Sequence, residues 1–278
     1  MECKLDQITV HYEAIGKGRP LLMLHGWPLD HRSMIGAMEP IFKDRTGWQR
    51  IYPDLPGMGK TPGPDWIKTQ DHVLNVVLDF VDHVIGKIPF AIAGLSYGGY
   101  LARGIVYRRA ESVNGLALLV PAMNTVGQSR DVPPHVTLVE DASALEGLSP
   151  DEAESIQKMT VVQSRRQTEQ WKTDIFPAVA TADHAFLDRL ATAGGFSFDV
   201  DKLPAPFPGP TLFLMGRQDA SVGYRDAWKI LEDYPRATFA VLDRAGHCLT
   251  MEQEELFHTL VNEWLDRVEE RADSSQTN

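Results

Sequence analysis

The stretch Phe90-Ala91-Ile92-Ala93-Gly94-Leu95-Ser96-Tyr97-Gly98-Gly99-Tyr100 decides how the rest of the chain reads. Its first half is a short apolar run, the pattern of a strand buried on both faces. Gly94-Leu95-Ser96-Tyr97-Gly98 then forms a G-x-S-x-G, and a helix-like segment continues to about Ala110. A serine on a tight strand-to-helix turn is held in a strained conformation with its hydroxyl pointing away from the sheet. Gly94 and Gly98 leave room for that turn, because a Cβ at either position would crowd the serine. The start of the following helix favours negative charge beside Ser96.

The flanking sequence repeats the strand-helix pattern. Upstream, residues 2–15 alternate like an edge hairpin, Pro20–Leu24 is a buried strand ending in His25-Gly26-Trp27-Pro28, and a helix is expected over Ser33–Phe42. Gln49–Leu55 reads as the next strand. Its glycine loop, Pro56-Gly57-Met58-Gly59-Lys60-Thr61, lacks the spacing of a phosphate cradle. Val73, Leu74, Val77, Leu78, Val81, Val84 and Ile85 give one apolar face to a helix over Gln70–Ile85, with His72 and His83 as surface residues at its margins. Downstream, strands are expected at Val113–Val120, Thr211–Met215 and Thr238–Leu242. Helices are expected over Gly223–Asp233 and Glu252–Glu269.

Between Pro121 and Pro208 the alternation stops, and helices are expected over Asp151–Arg166, Thr168–Ile175 and Thr181–Ala193. Ser149-Pro150-Asp151-Glu152 carries a capping signal for the first of these. The domain reading is therefore an α/β core over residues 1–121 and 209–270, a helical insertion over 122–208, and a disordered tail over 271–278. The core is a mainly parallel twisted sheet of about eight strands with helices on both faces.

The 278 residues are 43% hydrophobic and 23% charged, ordinary for a globular protein with a large core. A net charge of −11 argues against nucleic acid or an anionic membrane as partner. No apolar run reaches the roughly 18 residues of a membrane span. Two cysteines, Cys3 and Cys248, provide neither a disulfide framework nor a metal motif. With an N-terminus too polar for a signal peptide, the expectation is a cytoplasmic protein, monomeric or homodimeric, acting on a small molecule without metal or cofactor.

Four loops fall at the carboxyl ends of parallel strands, which share one sheet edge: His25-Gly26-Trp27, Ser96, Asp219 and His247. A serine hydroxyl needs a base, a histidine titrates near neutrality, and a carboxylate fixes the histidine's tautomer and stabilises its cation. Ser96, Asp219 and His247 are therefore the candidate nucleophile, acid and base. Asp243, four residues before His247, and Asp54 are rival carboxylates read as structural. Cys248 has no signature of a nucleophile.

The ordered pieces His25-Gly26-Trp27-Pro28, Asp54-Leu55-Pro56-Gly57-Met58-Gly59, Gly94-Leu95-Ser96-Tyr97-Gly98-Gly99, Gly216-Arg217-Gln218-Asp219 and Gly246-His247 resemble the α/β-hydrolase superfamily from about residue 5 to 268. The resemblance implies that Ser96, Asp219 and His247 form a triad. It also implies that the N–H groups of Trp27 and Tyr97 form the oxyanion hole and that residues 122–208 form a helical cap. Serine at 96 disfavours haloalkane dehalogenases and epoxide hydrolases of this fold, which use aspartate. The charged cap segment Ser164-Arg165-Arg166-Gln167-Thr168-Glu169 is unlike the apolar lid of lipases. Ester hydrolysis of a small to medium soluble substrate is the leading expectation. Lactone hydrolysis, small-peptide cleavage, perhydrolysis and carbon–carbon bond hydrolysis would use the same residues, and a ligand receptor, lyase or oxygenase on the same fold is the alternative of another class. His25, Met123, Trp171 and Phe176 are the expected pocket residues, and His25 is read besides as hydrogen-bonding backbone and shaping the oxyanion loop rather than as a second base.

Overall fold

A computed structural model describes residues 1–124 and 130–276. Eight strands form one sheet: β1 Glu2–Lys4, β2 Thr9–Gly16, β3 Arg19–Leu24, β4 Trp48–Pro53, β5 Phe90–Leu95, β6 Val113–Leu119, β7 Thr211–Gly216 and β8 Ala237–Leu242. Their order is β1-β2-β4-β3-β5-β6-β7-β8. The β1–β2 and β2–β4 pairs are antiparallel and the remaining pairs parallel. This is the mainly parallel sheet expected. Every residue of β5 and β7 is buried, because helices cover both faces there. In β2, by contrast, only Val10 and Tyr12 turn into the core, and β8 is half-buried along its whole length.

Helix α1, His31–Phe42, carries the chain from β3 to β4, and α2, Gln70–Val84, returns it to β5 on the other side of β3. The strand order therefore reverses between β3 and β5, where a crevice opens at the carboxyl edge. The register keeps that edge level. Leu24 pairs with Gly94, Gly94 with Leu118, Leu118 with Phe213 and Phe213 with Phe239. The loops after five strands consequently emerge in one row.

Helix α3, Tyr97–Arg109, starts directly after Ser96, which has φ 51° and ψ −111°. Added Cβ atoms explain the two flanking glycines. One on Gly94 would collide with the carbonyl oxygen of Gly98, and one on Gly98 with that of Leu24. Ser96 is pinned from both sides, its N–H donating to the Leu119 carbonyl at 2.9 Å and its carbonyl accepting from Ala122 at 2.9 Å.

Residues 122–208 leave the sheet between β6 and β7 and carry α4 Pro150–Met159, α5 Arg165–Gln170, a wider π turn at Trp171–Ile175, α6 Phe176–Thr181 and α7 His184–Ala191. The capping box at Ser149 and Glu152 forms as expected. The single helix expected over Asp151–Arg166 does not. It stops at Met159, because the N–H groups of Val161 and Val162 turn to the Glu252 carboxylate and the Val161 carbonyl accepts from Leu138. The helix expected over Thr181–Ala193 is α7, which starts only at His184, where the Asp183 side chain caps it by accepting from the Phe186 N–H at 3.0 Å.

Beyond β7 come two short helices, α8 Arg225–Trp228 and α9 Leu249–Glu252, and the long α10 Glu254–Gln276. Buried Phe257, Val261, Trp264, Leu265 and Val268 seat α10 in the core. Residues 271–276, expected to be a disordered tail, continue this helix, and Asp273 pairs with Arg19 at 2.5 Å. Residues 277–278 lie outside the described part. Among the described residues no helix is long and apolar enough to cross a membrane.

Asp54, at the end of β4, latches α1 to the sheet. Its buried carboxylate accepts from the His31 ring Nδ1 at 2.7 Å and from the His31 and Lys60 N–H groups, each at 2.9 Å. Burial pushes the Asp54 carboxyl up, but His31, the nearby His25 and the backbone donors outweigh it and hold it below its ordinary value. Burial likewise lowers the His31 imidazole, and Asp54 more than reverses this. A carboxyl lowered on folding stabilises above its unfolded pKa of about 3.9, and an imidazole raised on folding stabilises below its unfolded pKa of about 6.5. The destabilisation caused by His31→Asn should therefore be largest between about pH 4 and pH 6.5. It should shrink as pH falls through the lowered Asp54 pKa and as it rises through the raised His31 pKa. Urea midpoints of wild type and variant from pH 3 to 9 test this; a pH-independent difference would remove the ion pair as the cause.

Candidate active site

The level strand edge places Ser96 after β5, Asp219 after β7 and His247 after β8. The His247 Nε2 lies 3.0 Å from the Ser96 Oγ, and its Nδ1 lies 2.9 Å from the Asp219 Oδ2. Asp219 is fully buried, and its other oxygen accepts from the N–H groups of Ser221 at 2.8 Å and Val222 at 3.0 Å. Burial pushes the Asp219 carboxyl up, yet His247 and these two donors outweigh it and keep it below the usual carboxylate range. An ionised carboxylate only accepts, so the His247 Nδ1 carries the proton and Nε2 presents its lone pair to Ser96. The two rival carboxylates stand elsewhere. Asp54 is committed to the α1 latch, and Asp243 is at the surface, accepting from Gln218 at 2.7 Å.

The Gly26-Trp27 loop lies against this group. A Cβ on Gly26 would sit 3.3 Å from the Ser96 Cβ, and the Trp27 and Tyr97 rings meet edge to face at 5.3 Å. Tyr97 opens α3, where an N–H has no partner within the helix. Among the described residues no backbone carbonyl engages the N–H of Trp27 or Tyr97.

Two cavities meet at Ser96, sharing Trp27, Ser96, Met159 and His247 in their walls. The larger, about 430 Å³, is mainly apolar, with Leu29, Trp171, Ile175, Val179 and Met251 in its wall beside Lys158. The smaller, about 210 Å³, includes Gln70, Asn124, Arg130 and Ser221. Of the expected pocket residues, Trp171 lines the larger cavity. The other three line neither. His25 is fully buried, its Nδ1 donating to the Gly26 carbonyl at 2.8 Å and its Nε2 accepting from the Leu55 N–H at 3.0 Å. Both ring nitrogens are used to join the loops after β3 and β4, and burial holds the imidazole below its ordinary pKa. Met123 is turned inward, its carbonyl accepting from buried Arg103 at 3.0 Å. Phe176 packs edge-on to Trp171, with ring centres 5.4 Å apart. Cys248 borders the apolar cavity, but burial, with Glu252 and Asp219 nearby, pushes its thiol well up and keeps it protonated.

Two groups of metal-ligand type occur among the described residues, and none of their members lines either cavity. Atoms of His11, Glu13 and His31, and of Asp30, His31 and Asp54, approach within 4.8 Å of one another. No spacing in the sequence signalled these groups, because β2, α1 and β4 supply them separately.

Sequence reasoning missed Gln70, Asn124, Arg130 and Met159. Gln70 and Met159 stand at the ends of helices whose patterns place the helix but not these side chains, and Asn124 and Arg130 come from a stretch without periodic pattern. It also missed Glu252. That carboxylate accepts from Val161 at 2.5 Å and Val162 at 3.2 Å in the insertion, and from Gly246 at 2.6 Å beside His247. Burial pushes its pKa up against the pull of these three donors.

A sequence model of the alpha/beta hydrolase family matches residues 21–259. The chain belongs to that family and is a hydrolase of it. The pimeloyl-(acyl-carrier protein) methyl ester esterase of Legionella pneumophila strain Corby is 24% identical over 259 residues, covering 93% of this chain and 100% of the relative. The 2-hydroxy-6-oxo-6-(2'-aminophenyl)hexa-2,4-dienoic acid hydrolase of Metapseudomonas resinovorans is 26% identical over 269 residues, covering 94% of this chain and 88% of the relative. Among solved structures, an alpha/beta superfamily hydrolase from Oenococcus oeni PSU-1 superposes with a TM-score of 0.87 at 27% identity, covering 97% of this chain and 99% of that one.

Replacing Glu252 with Ala strands three N–H groups, two in the insertion and one beside the histidine. The variant should lose about 1.5–3 kcal/mol, the range for hydrogen bonds to a charged acceptor, and expose residues 160–164 to limited proteolysis. Denaturant unfolding with proteolytic mapping checks this; unchanged stability and cleavage would show that the clamp carries no load.

Proposed function

We propose that the chain is a serine hydrolase that cleaves a small to medium ester, or a lactone- or thioester-like acyl substrate, through an acyl-enzyme on Ser96. The observation carrying this reading is the continuous hydrogen-bonded line from the Ser96 Oγ through the His247 ring to buried Asp219. His247 Nε2 takes the hydroxyl proton as Ser96 attacks the carbonyl carbon. Asp219 holds the resulting imidazolium. The N–H groups of Trp27 and Tyr97 receive the oxyanion. Collapse expels the alcohol, which takes the proton from His247, and a water activated by the same nitrogen then releases the acid. No step calls for a metal or cofactor.

Two named relatives, an ester hydrolase and a dienoic acid hydrolase, support acyl chemistry at this site. The second also supports an alternative, hydrolysis of a carbon–carbon bond next to a carbonyl, for which the same three residues would serve. The charged surface of the insertion, with Arg165 paired to Glu146 and Lys172 to Glu169, fits a water-borne substrate better than a lipid interface. The two free thiols, Cys3 and Cys248, suit a reducing cytoplasm. The enzyme acts as a monomer or homodimer on a diffusible small molecule.

Hydrolysis of p-nitrophenyl acetate with a pre-steady-state burst is the expected behaviour. Ser96→Ala should lower kcat by about 10⁴-fold or more, and Asp219→Asn by about 10⁴-fold with the fold intact. An alkyl fluorophosphonate should label Ser96 alone, located by peptide mass. Turnover that survives Ser96→Ala would overturn the assignment of the nucleophile, and product masses on a ketone substrate panel distinguish ester from carbon–carbon cleavage.

A further inference from the structure

Arg130 stands out among the residues facing Ser96. It lines the 210 Å³ cavity, and no Asp or Glu lines that cavity among the described residues. Its Nε donates to the Asn124 side-chain oxygen at 2.9 Å, one terminal nitrogen to the Ser221 carbonyl at 3.0 Å, and the other to the Asn124 carbonyl at 3.0 Å. All three acceptors are neutral. A guanidinium has five N–H groups in a planar fork, so one remains on each terminal nitrogen. Two N–H groups on one guanidinium are what arginine uses to grip a carboxylate by two hydrogen bonds.

The surrounding charges leave this cation uncompensated at close range. Asp219 and Asp226 act on Arg130 through space. Asp219, however, is held by His247, Ser221 and Val222, and Asp226 by Lys229 and the Asp131 N–H. Burial weighs more than these distant charges and pulls the guanidinium below its ordinary pKa. Removing a charge from water without a paired opposite charge is costly, and a bound anion would offset that cost. Gln70, Tyr100, Asn124 and Ser221 add polar groups to the wall without adding charge. The chain as a whole carries −11, so an anionic substrate gains nothing from the overall field. Arg130 is the one Lys or Arg of the polar cavity among the described residues, while Lys158, in the wall of the larger cavity, is paired with Glu154.

We propose that the polar cavity is a carboxylate subsite, in which Arg130 clamps a free carboxylate of the substrate while the apolar remainder occupies the cavity lined by Trp171 and Ile175. The inference rests on Ser96 hydrolysing the substrate and names its class: an ester or related acyl compound that keeps an ionised carboxylate away from the scissile bond. A single cation matches the single charge of a carboxylate better than a phosphate dianion. The carboxylate sits on either the acyl or the alcohol side of the bond, because both cavities open at Ser96.

Two matched pairs of substrates test this, one for each side: monoethyl against diethyl glutarate, and O-acetylglycolate against its ethyl ester. In one pair the charged ester should have the higher kcat/KM by about tenfold or more. Arg130→Gln should collapse that ratio, chiefly through KM, and Arg130→Lys should restore part of it by returning charge without the fork. A wild-type ratio near one in both pairs overturns the proposal without any variant, and so does Arg130→Gln lowering charged and neutral esters alike. Calorimetric titration of Ser96→Ala protein with the two charged esters reads the subsite independently of turnover. Saturable binding that Arg130→Gln abolishes supports the proposal, and no binding overturns it. If folded wild type fails to hydrolyse p-nitrophenyl acetate, the hydrolase reading falls, and calorimetry still decides the subsite.

Discussion

The backbone approach of Gly98 to the end of β3 is the constraint on which the site depends. With no Cβ at 94 or 98, α3 can begin one residue after β5 and press against the Leu24 carbonyl. The turn forces Ser96 to a positive φ, a conformation costing of order 1–3 kcal/mol for a residue other than glycine. Hydrogen bonds to Leu119 and Ala122 hold it there. Val120, directly after β6 at the same edge, also takes a positive φ of 37°, and its N–H donates to the Leu214 carbonyl at 2.8 Å, so the buried parallel sheet holds strain at two neighbouring loops.

Around that turn, the buried polar groups divide into two kinds. His25, Asp54 and Asp219 are each satisfied by backbone N–H groups or by a facing histidine. They keep the loops after β3, β4 and β7 at fixed positions along the edge. Glu252 does the same between the insertion and the histidine loop. Arg130 differs, since its hydrogen bonds are all to neutral oxygens and it lines the cavity beside Ser96. Those four residues have their polar atoms engaged within the chain, whereas Arg130 makes three hydrogen bonds with five N–H groups.

Much of the core was legible because its signals are local. A strand buried on both faces is a run of apolar residues, and a strained turn shows as glycines at fixed offsets, so β5, Ser96 and α3 could be read together. The candidate triad could be read because parallel strands share an edge. The insertion was less legible. The helix expected through Arg166 is compatible with its own sequence up to that point, but Val161 and Val162 make their hydrogen bonds to Glu252, about 90 residues further along the chain. His25, read both as a pocket residue and as a backbone hydrogen-bonder, is the second of these, bonded to the Gly26 carbonyl and the Leu55 N–H. Met123 and Phe176 were chosen for residue type and place in the chain, and which way each side chain turned depended on partners those signals do not contain, Arg103 and Trp171.

By itself, the amino-acid sequence determined the α/β class, the order of the strands along the chain and the three side chains gathered at Ser96, because each rests on periodicity, turn chemistry or strand direction. Tertiary structure alone decided the two cavities, the clamp at Glu252 and the exposure of Arg130 to Ser96. Each of these depends on where a segment without periodic pattern comes to rest, and that position is set by packing against distant elements rather than by the segment's own residues.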